Sequence, residues 1–462
     1  MRITATRAIA PLFLMAACSA KAPTVSTPAS ANGLGSAVAT LSDAGAKVAP
    51  RAVTEQEFLA PFLQTATEAR GLAPLLPVQG ERVDRARMLA VVRAHVDAEV
   101  PEEDIVREEI ELALYGLIPP DYKYKEGFFK LLESELAGVY IPTDKKLYYS
   151  SDLGDGERET IVHELTHALQ DQHFHLGGRM KALKNNDDAG FALQVLAEGD
   201  ATFTGLRTEI TKRMGPNAPA IPVPQLRAMM EQGVAASMAK IDAPPAMKRM
   251  LAAPYIEGVS LVGALFEEGG WARVNEAWAR PPASSHQALD VHRWATQDRY
   301  ETAAVLPAPA GFKVVHSGAS GEYGVRALWE QWAPTSASEL ASKTLGDVDA
   351  LYINDAGDSA VMSRIQFYPP RRPTPFDHLK KIAPMQSTFM LYTRHLSPLF
   401  QQKGWSNEGA FHCLQRPGVG PFAVSILPSE VRVSAGPASK SAAGWSTTAT
   451  CADAKKWHAA VK

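Results

Sequence analysis

The chain has 462 residues, of which 46% are hydrophobic and 21% are charged, and its formal net charge is −3. This length and composition are sufficient for two or three globular domains with cores of their own. The charge is nearly balanced and Lys and Arg form no local run, so the sequence argues against nucleic acid as a partner.

The first 18 residues have the pattern of a bacterial lipoprotein signal peptide. Arg2 and Arg7 precede an apolar run over 9–17 that is too short to span a bilayer. The run ends in Met15-Ala-Ala-Cys18, which resembles the lipobox, although leucine is more usual than Met15. We expect lipidated Cys18 to anchor the protein to a membrane of the bacterial cell envelope, at the outer membrane or the periplasmic face. Secretion without lipidation is the alternative.

The rest of the chain divides by composition into three segments. Residues 19–52 carry few large apolar side chains and predict a flexible tether. Helical periodicity from residue 53 predicts a mainly helical domain over 53–305, with one β-hairpin at 137–150 around a Pro-Thr-Asp-Lys turn. After a linker at 306–311, alternating apolar runs predict a smaller α+β domain over 312–462. The predicted fold class is therefore α+β.

The two remaining cysteines, Cys413 and Cys451, are a pair in a chain expected to be exported. Disulfides form and persist in oxidising compartments, so we expect these two residues to be joined. Two separate buried thiols are the alternative, because sequence alone does not place the Cα atoms within bridging distance.

A helix rich in histidine follows the predicted hairpin. His163 and His167 are four residues apart, so both imidazoles leave the same face and can bind one metal ion. Glu164 projects beside them, where it can take a proton from water without being a ligand. Asp155 or Gly156 is expected to cap this helix and Gly177-Gly178 to end it.

A second apolar helical stretch, at 191–203, is interrupted by Glu198 and Asp200. A carboxylate on an apolar helix face is costly to bury unless a positive charge compensates it. We therefore predict one Zn²⁺ per chain, held by His163, His167 and Glu198, with a fourth position open for water. Asp200 remains the alternative ligand, or a residue that orients a histidine.

The sequence His163-Glu-Leu-Thr-His167 followed by Glu198-Gly-Asp-Ala201 resembles the gluzincin metallopeptidases. Together with Ala137-Gly-Val-Tyr140 and Pro254-Tyr-Ile-Glu-Gly-Val259, it is similar to a group of largely uncharacterised bacterial gluzincin-like proteins, roughly over 55–294. The resemblance implies a zincin-like fold, zinc held by two histidines and a glutamate, Glu164 as general base, and a peptide or protein substrate.

One segment departs from the pattern of that group. Where its members tend to have Ser-Thr-Glu-Gln-Ile-Leu-His-Pro, this chain has Ser284-Ser-His-Gln-Ala-Leu-Asp-Val291, so His286 replaces the glutamate and Asp290 the histidine. If that histidine assists the oxyanion in relatives, this chain must use another donor. Tyr255, His292 and Tyr140 are the candidates, and the sequence does not choose among them.

Two hypotheses of function follow from different classes of protein. The first is a zinc-dependent peptidase of the cell envelope, with Glu164 as the general base. The second is a non-catalytic envelope lipoprotein that retains the fold for protein binding. The complete set of four site residues favours the enzyme, whereas the altered segment at 284–291 favours the binding protein.

Overall fold

The computed structural model describes residues 16–18, 54–153, 158–215, 221–367 and 377–460. These residues form a mixed α+β protein in which a large sheet lies toward the C-terminus, as the sequence predicts. Most of the predicted signal peptide, the tether at 19–52, and the proposed caps Asp155 and Gly156 lie outside the described residues.

Four helices precede the predicted hairpin, and two of them end at a glycine. Thr54 forms a capping box with Glu57 at the start of the first helix, and Gly71 and Gly116 end the first and third in the left-handed conformation. Their buried faces contain the apolar positions that predicted them. The helices are α1 (Glu55–Arg70), α2 (Arg85–Glu99), α3 (Glu102–Tyr115) and α4 (Tyr124–Glu135).

The predicted hairpin is confirmed and belongs to a four-stranded sheet. Strands β3 (Leu136–Ile141) and β4 (Lys146–Ser150) pair antiparallel, with Gly138 opposite Tyr149. Strand β2 (Gln79–Val83) lies parallel to β4, and β1 (Ala16–Cys18) lies antiparallel to β3. Within the part of the chain that the structure describes, the order β1-β3-β4-β2 places the three-residue strand β1 on the outer side of β3.

The histidine helix α5 (Arg158–Phe174) packs under this sheet and against α7 (Asp187–Met214), which contains the predicted stretch 191–203. The predicted end of α5 at Gly177-Gly178 was wrong. His175 turns the chain with a φ of 56°, and both glycines lie within α6 (Leu176–Ala182). Gly177 is required for close approach instead, because a Cβ there would lie 2.5 Å from Pro142.

Helices α8 (Val223–Met238) and α9 (Pro245–Ala279) follow α7 in the mainly helical part of the chain. By length and composition α9 could cross a membrane, but 67% of its most apolar window is buried inside the protein, as in a core helix. It crosses α7 with the two backbones in contact: a Cβ on Gly199 would lie 2.3 Å from the carbonyl carbon of Gly258.

The C-terminal part is built on a nine-stranded sheet in the order β5-β7-β8-β12-β11-β10-β9, with β6 paired to β7 and β13 to β12. The alternating apolar runs that predict this part lie at 350–353, 360–367 and 421–427, and they fall largely within its strands. The strands are β5 (Glu301–Thr302), β6 (Phe312–Gly318), β7 (Gly346–Asn354), β8 (Ser359–Gln366), β9 (Trp405–Glu408), β10 (Phe411–Arg416), β11 (Gly420–Ile426), β12 (Glu430–Ser441) and β13 (Gly444–Ser446).

Helices connect the two parts and cover the large sheet. They are α10 (Ser285–Ala288), α11 (Val291–Thr296), α12 (Gly321–Trp332), α13 (Ala337–Ser342), α14 (Asp377–Phe400) and α15 (Cys451–Ala460). Ile110 and Leu114 of α3 belong to the core of the C-terminal part. Leu306, in the predicted linker, is buried against Trp457. The two parts therefore share packed surfaces, and the domain boundary at 305–312 stays a prediction.

Cys413 on β10 and Cys451 at the start of α15 form a disulfide with a Cα–Cα distance of 5.9 Å, as the sequence analysis expects. The bond attaches the last helix to the large sheet, where Ala454 packs against Ala423. Cys18 lies in β1, and its lipidation stays a prediction.

Candidate metal centre

Three side chains from α5 and α7 meet in the interior of the protein. The Nε2 atoms of His163 and His167 are 3.0 Å apart. The Oε2 atom of Glu198 lies 3.0 Å from the first and 3.4 Å from the second. Within the described residues this is the one group of three or more His, Cys, Asp and Glu side chains that could hold a metal ion. The structure thus brings together the three residues predicted as ligands.

The geometry of these three atoms fits a small divalent cation with tetrahedral preference. Zn²⁺ binds nitrogen and oxygen at about 2.0 to 2.2 Å, which places tetrahedral ligand atoms roughly 3.3 Å apart. The observed separations of 3.0 to 3.4 Å match that spacing. In addition, the Oε1 atom of Glu198 is buried without a hydrogen-bond partner in the described chain. Such an atom is costly to bury unless a cation faces the carboxylate.

Gln170 fixes the orientation of His167. The Nδ1 atom of His167 lies 2.8 Å from Oε1 of Gln170, and Nε2 of Gln170 donates a 3.0 Å hydrogen bond to the carbonyl oxygen of Ala197. Because the amide oxygen can only accept, Nδ1 carries a proton, and Nε2 is the nitrogen that faces the centre and would bind a metal ion. This role of Gln170 was not predicted from the sequence.

Glu164 lies beside the histidines and is fully buried. The backbone N–H of Tyr140, on β3, donates a 2.6 Å hydrogen bond to its Oε2 atom. Gly138 makes room for the side chain, because a Cβ there would lie 3.2 Å from Cγ of Glu164. The carboxylate is therefore held between the histidine helix and the strand, and it is not one of the three converging side chains.

The three side chains of the centre shift one another's pKa values. Burial lowers the pKa of His163. For His167, burial also acts to lower the pKa, but the Glu198 carboxylate outweighs it and raises the pKa to about 9. Burial acts to raise the pKa of Glu198, while His167 and His163 hold it below its usual range. In the metal-free protein a proton on His167 thus balances the charge of Glu198, and a bound cation would replace that proton.

Asp200, the alternative ligand, has other partners. The Nε atom of Arg70 donates a 2.5 Å hydrogen bond to its Oδ1 atom, and the indole of Trp278 donates a 2.7 Å hydrogen bond to Oδ2. Arg70 is itself fully buried and lies over the ring of Trp271 at 4.3 Å. Asp200 therefore ties α1 and α9 to α7, and it contacts neither histidine of the centre in the described structure.

The other polar side chains near the end of α5 also have structural partners. Asp171 accepts hydrogen bonds from the hydroxyl of Tyr140, at 3.1 Å, and from the backbone N–H of Gly177, at 2.9 Å. His173 contacts the carbonyl oxygen of Ala73, at 2.7 Å, and His175 forms the turn into α6. Among the described residues, neither histidine belongs to the group that could hold a metal ion.

The three candidates for an oxyanion donor occupy different surroundings. Tyr255 on α9 is buried, with its ring 6.1 Å from that of His163. The hydroxyl of Tyr140 is engaged by Asp171, and His292 is exposed on α11. The altered segment lies elsewhere in a polar network, where Nδ1 of His286 is 2.6 Å from Glu322. Of the three candidates, Tyr255 is thus the one whose ring lies against a histidine of the centre.

Comparison with known proteins identifies no relative. No protein-family model, no curated protein and no solved structure matches this chain.

Proposed function

We propose that this protein is a zinc-dependent peptidase of the bacterial cell envelope with a zincin-like fold. The observation that carries the proposal is the convergence of His163, His167 and Glu198, within 4.8 Å of one another, beside a buried Glu164. Two imidazoles and one carboxylate are the ligand set of catalytic zinc sites that keep one position open.

Each residue has a distinct task in peptide hydrolysis. Zn²⁺, when bound, supplies Lewis acidity, which lowers the pKa of water and polarises a carbonyl oxygen. Glu164 accepts the proton of the attacking water and delivers it to the leaving amine, for which its hydrogen bond from the N–H of Tyr140 orients the carboxylate. Gln170 holds His167 with its Nε2 atom toward the centre. Tyr255 is the candidate for stabilising the developing oxyanion.

The edge of β3 supports a peptide or protein as the substrate. In β1, Ala16 pairs with Val139 and Cys18 with Leu136, both antiparallel, so an extended segment of chain fits on this edge. A substrate that bound in the same way would run past Tyr140 and Glu164, with its backbone paired to the strand and its scissile carbonyl near the ligands. Lipidation of Cys18 would hold this activity at the membrane surface.

The test compares metal content and peptide cleavage in matched variants of the full chain. We expect one zinc ion per chain in the unmodified protein and in Glu164→Gln, with cleavage of a broad peptide library only in the former. Glu159→Gln is the control, because Glu159 is an exposed glutamate at the start of the same helix. This variant should retain both zinc and activity.

Two results would contradict the proposal. Zinc bound at one equivalent without cleavage of any peptide would favour a non-catalytic binding protein. Cleavage that persists at the same rate in Glu164→Gln would show that another residue, or a contaminating enzyme, performs the reaction. Loss of zinc in His163→Ala, with the protein still folded by circular dichroism, is the expected companion result.

A further inference from the structure

A cavity of about 260 Å³ lies between helices α8, α9 and α12. Val234 and Met238 of α8 and Ala252 and Ala253 of α9 form its apolar part, and all four residues are buried. The volume is sufficient for a small organic molecule, since an apolar cavity of roughly 150 Å³ holds benzene. The described residues of its wall include none of the three predicted metal ligands, so the cavity is separate from the centre described above.

Every carboxylate of the wall is paired with arginine. Glu257, which is 5% exposed, accepts hydrogen bonds from Arg227 at 2.6 and 2.8 Å and from Arg326 at 2.8 Å. Burial acts to raise the pKa of Glu257, but these two guanidinium groups hold it below its usual range. Arg326 also donates a 2.8 Å hydrogen bond to Glu330, and Arg227 donates one of 2.8 Å to Glu231. The acids of the cavity therefore already have positively charged partners.

Two further cations of the wall, Lys248 and Arg249, have donors that the described chain does not use. The Nε atom of Arg249 lies 3.0 Å from Oε2 of Glu330, but its Nη2 atom is buried without a hydrogen-bond partner. The ammonium group of Lys248 has three donors, and its one hydrogen bond in the described chain goes to a neutral acceptor, the carbonyl oxygen of Met238, at 2.9 Å. Because the described wall contains four cations and three carboxylates, it has a surplus of positive charge.

The position of these two cations on α9 adds to the surplus. Lys248 and Arg249 lie three and four residues after Pro245, the first residue of the helix, and the first turn contains no acidic residue. The N-terminus of a helix carries a partial positive charge, which disfavours cations and favours anions nearby. A bound anion would therefore relieve a repulsion that the described part of the chain does not balance.

The chemistry of the wall indicates the kind of anion. A guanidinium group presents N–H donors that match the two oxygens of a carboxylate, so an anion of this type can use Nη2 of Arg249. The apolar side chains favour an anion that carries an aliphatic chain, because contact between the two removes both surfaces from water. A compact, strongly hydrated anion would satisfy the charges but would leave the apolar part of the wall uncovered.

We propose that this cavity binds a short aliphatic carboxylate. Arg249 and Lys248 bind its oxygen atoms, and its chain packs against Val234 and Met238. The proposal does not depend on the peptidase function, because neither the predicted metal ligands nor Glu164 line the cavity.

Calorimetry on the full chain at pH 7.5 tests the proposal with three probes of equal length: n-pentanoate, n-pentanol and n-pentylamine. We expect pentanoate to bind at least tenfold tighter than pentanol, and pentylamine to bind weakest. Acetate should bind at least fivefold more weakly than pentanoate, because it lacks most of the chain that the apolar wall covers.

Two variants locate the bound carboxylate. Arg249→Gln removes the guanidinium group and should weaken binding of pentanoate by at least tenfold. Ala235→Phe, at an exposed position of α8 on the wall, should do the same, because it fills the cavity and leaves every charge in place. Arg273→Gln is the matched control, because Arg273 is also on α9 but pairs with Glu268 and Glu276 outside the cavity. A carboxylate bound at the metal centre would respond to neither cavity variant.

Equal binding of pentanoate and pentanol, or binding of neither, would overturn the proposal, and the probe series decides this even if a variant fails to fold. Unchanged affinity for pentanoate in either folded cavity variant would overturn it as well, because the carboxylate would then bind elsewhere. Acetate binding as tightly as pentanoate would overturn the assignment of an aliphatic ligand.

Discussion

Replacing Gln170 by leucine tests the architecture of the metal centre without removing a ligand. The substitution takes away the acceptor for Nδ1 of His167 and the donor to the carbonyl oxygen of Ala197. Each buried group left without a partner costs about 1 to 3 kcal/mol. Loss of such an orienting partner lowers metal affinity by about 10- to 100-fold. We therefore expect zinc to bind Gln170→Leu with an affinity lower by that factor.

Competition with a chromophoric chelator at pH 7.5 measures this affinity, and thermal melting of the metal-free protein measures the accompanying loss of stability. Gln172→Leu is the matched control, because Gln172 lies on the same helix but bonds the backbone of Leu75 and Leu76. Its zinc affinity should stay within about twofold of the unmodified chain. Gln170→Glu keeps an acceptor for His167 and should retain tight binding.

The reasoning would be refuted if Gln170→Leu bound zinc within twofold of the unmodified protein. His167 would then not depend on this hydrogen bond for its orientation. A fall in affinity that was equally large in Gln172→Leu would show a general loosening of α5 instead.

The remaining predictions concern catalysis and stability. Tyr255→Phe should lower kcat roughly 100-fold with zinc content unchanged, the effect expected when one oxyanion donor is lost, and equal kcat values would exclude Tyr255 from the reaction. Burial raises the pKa of Asp188 to about 6 from its usual 3.8, so the free energy of unfolding of the protein falls as pH rises from about 4 to 6. Asp188→Asn should remove roughly 3 kcal/mol of this fall, measured by urea titration at several pH values. An unchanged pH dependence in the variant would contradict this. Gly199→Ala should destabilise the protein by about 3 kcal/mol in the same assay, because its Cβ would lie 2.3 Å from the backbone of Gly258, whereas Gly205→Ala, in open space on α7, should not. Cys413→Ser should lower stability by about 4 kcal/mol, as expected for a closed loop of 38 residues, and no difference between oxidised and reduced protein would argue against this bond.

The parts of the site that depend on local spacing were predictable from the sequence. Two histidines four residues apart on a helix must lie on the same face. The hairpin at 137–150 is predicted by the turn residues that lie between its two strands. Glu198 could be chosen because an acid on an apolar helix face needs a compensating charge. These inferences need no knowledge of how the helices pack.

The parts that depend on distant contacts were not predictable. The role of Gln170 requires the carbonyl of Ala197, on another helix, and the partner of Asp200 is Arg70, 130 residues away. The end of α5 was misplaced because His175, and not a glycine, adopts the left-handed conformation. Gly177 is needed for its contact with Pro142, which only the packing of the hairpin on α6 creates.

The backbone contact between Gly199 and Gly258 has a mechanical consequence. At this crossing point no side chain lies between α7 and α9, so the two helices cannot move closer together there. Glu198 adjoins one glycine and Tyr255 lies three residues before the other. The spacing between Glu198, the predicted metal ligand, and the phenol of Tyr255 is thereby limited by main-chain steric contact.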